Sequence, residues 1–297
     1  MGREWQIGDP VDYTTDGWMD AQNWGHGEED EKIRNDFNEE FFSKSDEYAK
    51  MAWDYHINGN EMKAFFYINN ALDVNDRKSN YWNIRAIILE SMEMFDESER
   101  NFERSLEISK RNVVYDNLAR MLLNWTFKLM EDGKNSKNGM NNFKKAEEKI
   151  THAINIVSRD MSEENPERFL RQKDTINYHI NYEARFRKNL ETLKSYSKDE
   201  LFTITGRKHY NNIKINLGTK LRLIKEPDNE FDRDAIAVYA GDAKIGYVAN
   251  NDYTKYEMTS TASELKDKIP DEAQGEYLIH LDRYFEIHFD IGRIVKK

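Results

Sequence analysis

FTITGRKHY (202–210), LRLIKEPDNEFDRDAIAVYAG (221–241) and KIGYVANN (244–251) set the reading of the C-terminal third of the chain. Short runs rich in β-branched and aromatic residues, Leu201–Thr205, Leu221–Lys225, Ala235–Tyr239 and Lys244–Val248, have the pattern of strands. Between the second and third lies Glu226-Pro227-Asp228-Asn229-Glu230-Phe231-Asp232. There proline presets a turn, and Asn and Asp hydrogen-bond their own backbone. Ala240-Gly241-Asp242 reads as a hairpin turn. A more helical stretch, Asp252–Lys268, precedes a last strand-like run, Tyr277–Phe289. These elements predict a small, partly open β-barrel over residues 199–297.

The pattern upstream is helical. Tyr48, Ala52 and Tyr55, a turn at Gly59, and Ala64, Ile68 and Ala71 recur 34 residues later. Their counterparts are Trp82, Ala86 and Leu89, followed by Ser98, Phe102 and Ser105. Small residues let paired helices approach, and the large ones fill the space between. A third unit carries Leu118, Ala119, Leu122 and Leu123, then Ala146, Ile150 and Ala153. The polar stretch Glu131–Asn142 between its halves reads as an inserted loop. Pro166 opens a further helix to about Tyr196, with Phe169, Ile176, Ile180 and Leu190 as its apolar members, suited to cap a repeat stack.

This period resembles the tetratricopeptide repeat. Asp76 and Lys110 stand where its closing proline belongs, and Glu93 replaces an inter-helix glycine. The resemblance implies a groove that holds a protein or peptide partner. Repeat domains that grip chaperone C-termini use Lys and Asn on the inner helices. Ala49, Trp53 and Ile84 occupy those places here and argue against that role. The expected organisation is therefore α+β: an acidic arm at 1–44, an all-α repeat domain at 45–198 and the barrel at 199–297.

The formal net charge of −11 is unevenly spread. Residues 1–47 hold 4 basic and 14 acidic side chains, 48–199 hold 25 and 24, and 200–297 hold 15 and 17. The acidity sits in the arm, so each domain can display a local basic face. The arm also carries Trp5, Trp18 and Trp24, which would pin it to its own helices or dock a partner, and Glu28–Phe42 has helical spacing through Ile33, Phe37, Phe41 and Phe42. With no cysteine there is no disulfide, thiolate zinc site or cysteine nucleophile, which suits the cytoplasm. No run is long and apolar enough for a membrane span, and MGREWQIGDP has neither a signal-peptide core nor a myristoylation pattern.

The string EPDNEFDRDAIAVY followed by KIGYVA is similar to the HIRAN domain, a modified oligonucleotide-binding or SH3-like barrel. Its helicase-like members capture the 3′ end of single-stranded DNA. The resemblance implies a site built from Lys208, His209 and Tyr210 after the first strand, Asn229, Phe231 and Asp232 in the turn, and Tyr247 after Gly246. Phe231, His209 and Tyr247 offer stacking faces, Lys208 a cation for phosphate, and Asp232 an acceptor for a 3′-hydroxyl. Alternatively, Asn229 and Asp232 simply build the turn. That branch of the family has Arg-Tyr in place of Lys208-His209, Tyr in place of Phe231 and Lys in place of Asn250.

No catalytic chemistry or cofactor site emerges from the sequence. Asp228, Glu230, Asp232 and Asp234 fail as a calcium loop, because Arg233 and Tyr239 stand where Gly and Glu are needed. Neither a phosphate-cradling loop nor a zinc-binding helix motif occurs. His280 and His288 lie at even separation in one strand-like run, as a solvent-facing or packed pair. The expected function is a non-catalytic adaptor for single-stranded or 3′-ended DNA and a protein partner, active in DNA repair or processing. The alternative is a protein-interaction scaffold without nucleic-acid binding.

Overall fold

Residues 39–158, 162–210, 213–284 and 287–295 are described by a computed structural model, with side chains from Lys44 onward. The tryptophans of the arm lie outside the described residues, and the helix expected over Glu28–Phe42 overlaps them only at its end. The chain divides into two compact units. One contains residues 39–131 and 144–176, the other 132–143 and 177–295.

The first unit is built from helical hairpins. Helices α1 (Glu39–Ile57) and α2 (Glu61–Val74) form the first, and α3 (Ser79–Ser91) and α4 (Phe95–Ile108) the second. Ala52, Ala64, Ile68 and Ala71, and their counterparts Ala86, Ser98, Phe102 and Ser105, are fully buried, as the 34-residue period requires. Where the first repeat has Ala64 and Ala71, the second has hydroxyls that must be satisfied in the interface. Ser98 Oγ donates to the Ala86 carbonyl and Ser105 Oγ to the Ser79 carbonyl, both at 2.8 Å. Gly59 turns the first hairpin at φ +73°, and Glu93, its counterpart, adopts φ +58°. The period continues into α5 (Asn112–Asn135) and α6 (Met140–Val157). Asn117 donates to Asn83 at 3.1 Å and Asn124 to Glu90 at 2.8 Å, each across 34 residues.

The inserted loop expected over Glu131–Asn142 is not one. α5 runs to Asn135, and Ser136–Gly139 makes a tight turn directly into α6. The glycines that read as breakers permit close approach instead. A Cβ on Gly133 would strike the Phe143 ring, and one on Gly139 the Gly133 carbonyl.

Helix α7 (Pro166–Lys194) follows, and from residue 177 on it belongs to the second unit rather than to the repeat stack. Phe186 and Leu193 in its second half pack against Leu201, Tyr256, Ile279, Leu281 and Ile291 of the barrel unit.

The barrel comprises β1 (Leu201–Thr205), β2 (Lys220–Lys225), β3 (Ile236–Ala240), β4 (Ala243–Val248), β5 (Glu272–Arg283) and β6 (Ile287–Ile294). It is closed rather than partly open, in the order β1-β4-β3-β2-β5-β6, and every strand pair is antiparallel. Phe202, Ile204, Leu221, Leu223, Ile236, Val238, Ile245 and Val248 fill its interior, plugged by Leu265 of the short helix α8 (Ala262–Leu265). The helix expected over Asp252–Lys268 shrinks to that single turn. The rest of the stretch is a loop strapped to β1, where Tyr256 N donates to Thr203 Oγ1 at 2.9 Å.

Closure depends on a hairpin that the sequence hid inside Tyr277–Phe289. β5 and β6 pair from Gly275 opposite Ile294 to Arg283 opposite Ile287. No Gly, Pro or Asn marks the reversal. A tertiary contact sets it: Tyr182 Oη on α7 donates to Asp282 at 2.8 Å and accepts from Tyr284 N at 3.1 Å. His280 and His288 thus lie on two strands, opposite Asp290 and Asp282. Among the described residues, no His, Asp and Glu group suits a metal ion, and no helix is long and apolar enough to cross a membrane.

Candidate nucleic-acid interface

Chain geometry at the turn between β2 and β3 assigns the first roles. Asn229 N donates to the Glu226 carbonyl at 3.0 Å, closing a β-turn with Pro227 at its favoured second place. Asn229 Oδ1 accepts from Phe231 N at 3.0 Å and Asp232 N at 3.2 Å. Asp232 Oδ1 accepts from Asp234 N at 2.9 Å, and its Oδ2 from Asn250 Nδ2 at 2.8 Å. Both side chains therefore hold their own loop first. Each Asp232 oxygen retains a second lone pair for a ligand hydroxyl.

Beside this turn, β4 supplies Lys244 and Tyr247. Residues three apart on a regular strand face opposite sides, but here the pairing slips. Val238 faces Gly246 while Tyr239 faces Lys244, leaving Ile245 as an extra residue. That bulge re-aims the strand so that both side chains share a face. Gly246 is obligatory there, because a Cβ would collide with the Thr205 carbonyl oxygen on β1.

The result is a tight polar cluster. Lys244 Nζ lies 2.7 Å from Glu226 Oε1, 2.6 Å from Tyr247 Oη and 4.1 Å from the centre of the Tyr247 ring. Tyr247 Oη donates to Glu226 Oε2 at 3.0 Å, and Asn229 Nδ2 reaches Glu226 at 3.0 Å and Tyr247 at 3.3 Å. Burial opposes both charges, but the paired hydrogen bonds outweigh it. Glu226 is held below the usual carboxylate range and Lys244 above the usual ammonium range. Tyr210 meets Tyr247 edge-on, with ring centres 6.2 Å apart.

Arg207 aims the basic stretch. Its guanidinium donates to Asp290 at 2.7 Å and to the Ile213 carbonyl at 2.9 Å, fixing the 3₁₀ turn Arg207–His209. Lys208 and His209 stand exposed on that turn, just before Tyr210. Asp290 also accepts from Tyr277 at 2.6 Å and lies 2.9 Å from His280 Nδ1. Burial would raise its pKa, but the bonds from His280, Tyr277 and Arg207 bring it down to about 2.

The structure thus joins Tyr210, Tyr247, Asn229 and Asp232 through direct or shared contacts. Lys208 and His209 flank them in solvent, and Phe231 projects from the turn at 96% exposure. Sequence reasoning missed Lys244, Glu226 and Arg207. All three stood inside the quoted strings, but the bulge that brings Lys244 beside Tyr247 was signalled only by Gly246. A cavity of about 420 Å³ is lined by Lys225, Pro227, Arg233, Asp234, Lys266 and Asp271. Its lining includes no aromatic ring, and Lys266 and Lys225 are paired with Asp234 and Asp271 at 2.5 and 3.3 Å.

Residues 201–255 match the family model of the HIRAN domain. The chain carries a HIRAN domain. The match runs from β1 through β4 and contains every residue of the cluster around Tyr247. Beyond it, α8, β5 and β6 complete the barrel around the HIRAN segment. Among solved structures, the chain is similar to the TPR domain of Arabidopsis OM64, with 15% identity and TM-score 0.32 over 47% of this chain and 99% of that one. It is also similar to the Sgt2 TPR domain from Aspergillus fumigatus, with 15% identity and TM-score 0.31 over 48% and 82%. Comparison with curated proteins gives no match. A HIRAN domain points to nucleic acid as a ligand.

Proposed function

We propose that this chain is a non-catalytic, cytoplasmic adaptor in DNA repair or processing. Its HIRAN barrel engages single-stranded DNA, preferentially at a 3′ end, and its helical hairpins hold a protein or peptide partner. One observation carries the reading: the HIRAN match falls on the segment that presents Lys208, His209, Tyr210, Phe231 and Tyr247. Rings for bases, a cation for phosphate and a carboxylate for a terminal hydroxyl are the elements of strand-end recognition. Asp232 keeps acceptor capacity beyond its loop bonds, which suits it to the hydroxyl.

A scaffold without nucleic-acid binding is the rival reading. It is favoured by the commitment of Asn229 to its own turn and of Lys244 to Glu226. Fluorescence anisotropy of the full chain with a short labelled strand separates the two. The proposal expects binding that weakens when the 3′ end is blocked and persists when the 5′ end is blocked. Equal affinity for both blocked strands removes the end-reading role, and no binding at low salt favours the scaffold.

A further inference from the structure

Two aromatic side chains of the HIRAN segment stand almost wholly in solvent, Phe231 at 96% and Tyr253 at 97% exposure. Tyr253 is not among the residues that the sequence pattern marks. Its exposure does not come from a loose loop. Asn251 Oδ1 accepts from Tyr253 N at 3.1 Å and Thr254 N at 2.9 Å, and three residues on Tyr256 is tucked under β1. The loop bearing Tyr253 is also tied to the turn bearing Phe231, through Asn250 Nδ2 and Asp232 Oδ2 at 2.8 Å. Phe231 is one residue from that bond and Tyr253 three. At about 3.5 Å of chain per residue, the two rings fall within the span of a few nucleotides.

We infer that Phe231 and Tyr253 are two stacking platforms of one single-stranded nucleic-acid track, with Tyr253 engaging a base beyond the cluster at Tyr247. The inference rests on the nucleic-acid reading of the HIRAN site. The surroundings favour this occupant over an apolar peptide. Both rings are almost wholly exposed and so are not packed into an apolar groove of the fold, and their neighbours in sequence are polar, Glu230 and Asp232 beside one, Asp252 and Thr254 beside the other. A flat, isolated ring on a fixed loop suits the face that every base presents. Arg233, exposed two residues after Phe231, supplies a cation for the backbone, as does exposed Lys208. Because Asp228, Glu230 and Asp252 share these loops, stacking rather than ion release should dominate, giving a shallow salt dependence.

The test uses the full chain and a labelled single strand of mixed sequence at low salt. Tyr253→Ala should raise Kd about tenfold with an unchanged Tm, since the side chain touches little of the fold. Tyr253→Phe, which keeps the ring, should retain wild-type affinity. Wild-type binding that Tyr253→Ala leaves unaltered overturns this inference and spares the reading it rests on. A wild-type chain that binds no strand overturns both.

Discussion

At Glu93 the backbone sits at φ +58°, a conformation in which an L side chain crowds the following carbonyl at a cost of about 1–2 kcal/mol. The equivalent turn of the first repeat uses Gly59 at φ +73°. Glu93→Gly should therefore stabilise the helical unit by about 1 kcal/mol, somewhat less than the relieved strain because glycine also loosens the unfolded chain. A rise in the thermal midpoint checks it. Asp290 gives a second prediction with a definite sign. Its folded pKa of about 2 lies below the roughly 3.9 of an unfolded aspartate, so its stabilisation is complete above about pH 4 and is lost as pH falls toward 2. Asp290→Asn should cost about 2 kcal/mol at pH 7 and flatten the loss of stability in that acid window. Urea unfolding at pH 7 and at pH 3 measures both.

Among the elements, β4 carries the most consequence for the site. Its bulge at Ile245 brings Lys244 beside Tyr247, and Gly246 leaves room for β1. Gly246→Ala should destabilise the barrel by about 1–3 kcal/mol, because backbone rather than a flexible side chain blocks the new methyl. It should also weaken any binding that depends on Tyr247, and denaturation alongside anisotropy would follow the two effects. β1 to β4 and the first two helical hairpins were legible because their pattern is local: alternation in the strands, a period of 34 in the helices. The β5–β6 reversal was not, since Tyr182 on α7 sets it without any turn residue nearby. Nor was the α5–α6 turn, where polar residues cover an exposed helical surface and two glycines serve packing. Within the site, residue types were readable, but Lys244 depended on a pairing slip that period-two reasoning cannot anticipate.

For the whole molecule, charge is the governing property. Residues 1–44 carry 4 basic and 12 acidic side chains, a balance of −8 against near-neutral remainders, so the arm imposes a repulsive field on any phosphate ligand it can approach. Removing residues 1–44 should tighten nucleic-acid binding severalfold at low salt and have little effect at high salt; parallel salt titrations of both chains test this. The proposed function has the HIRAN barrel binding single-stranded nucleic acid through the aromatic face around Tyr247. Anisotropy titration of a labelled strand with the full chain and with Tyr247→Ala tests it. Saturable binding at low salt, weakened about tenfold in the variant, is the predicted result. No binding by the wild-type chain, or equal binding by a folded variant, would contradict it.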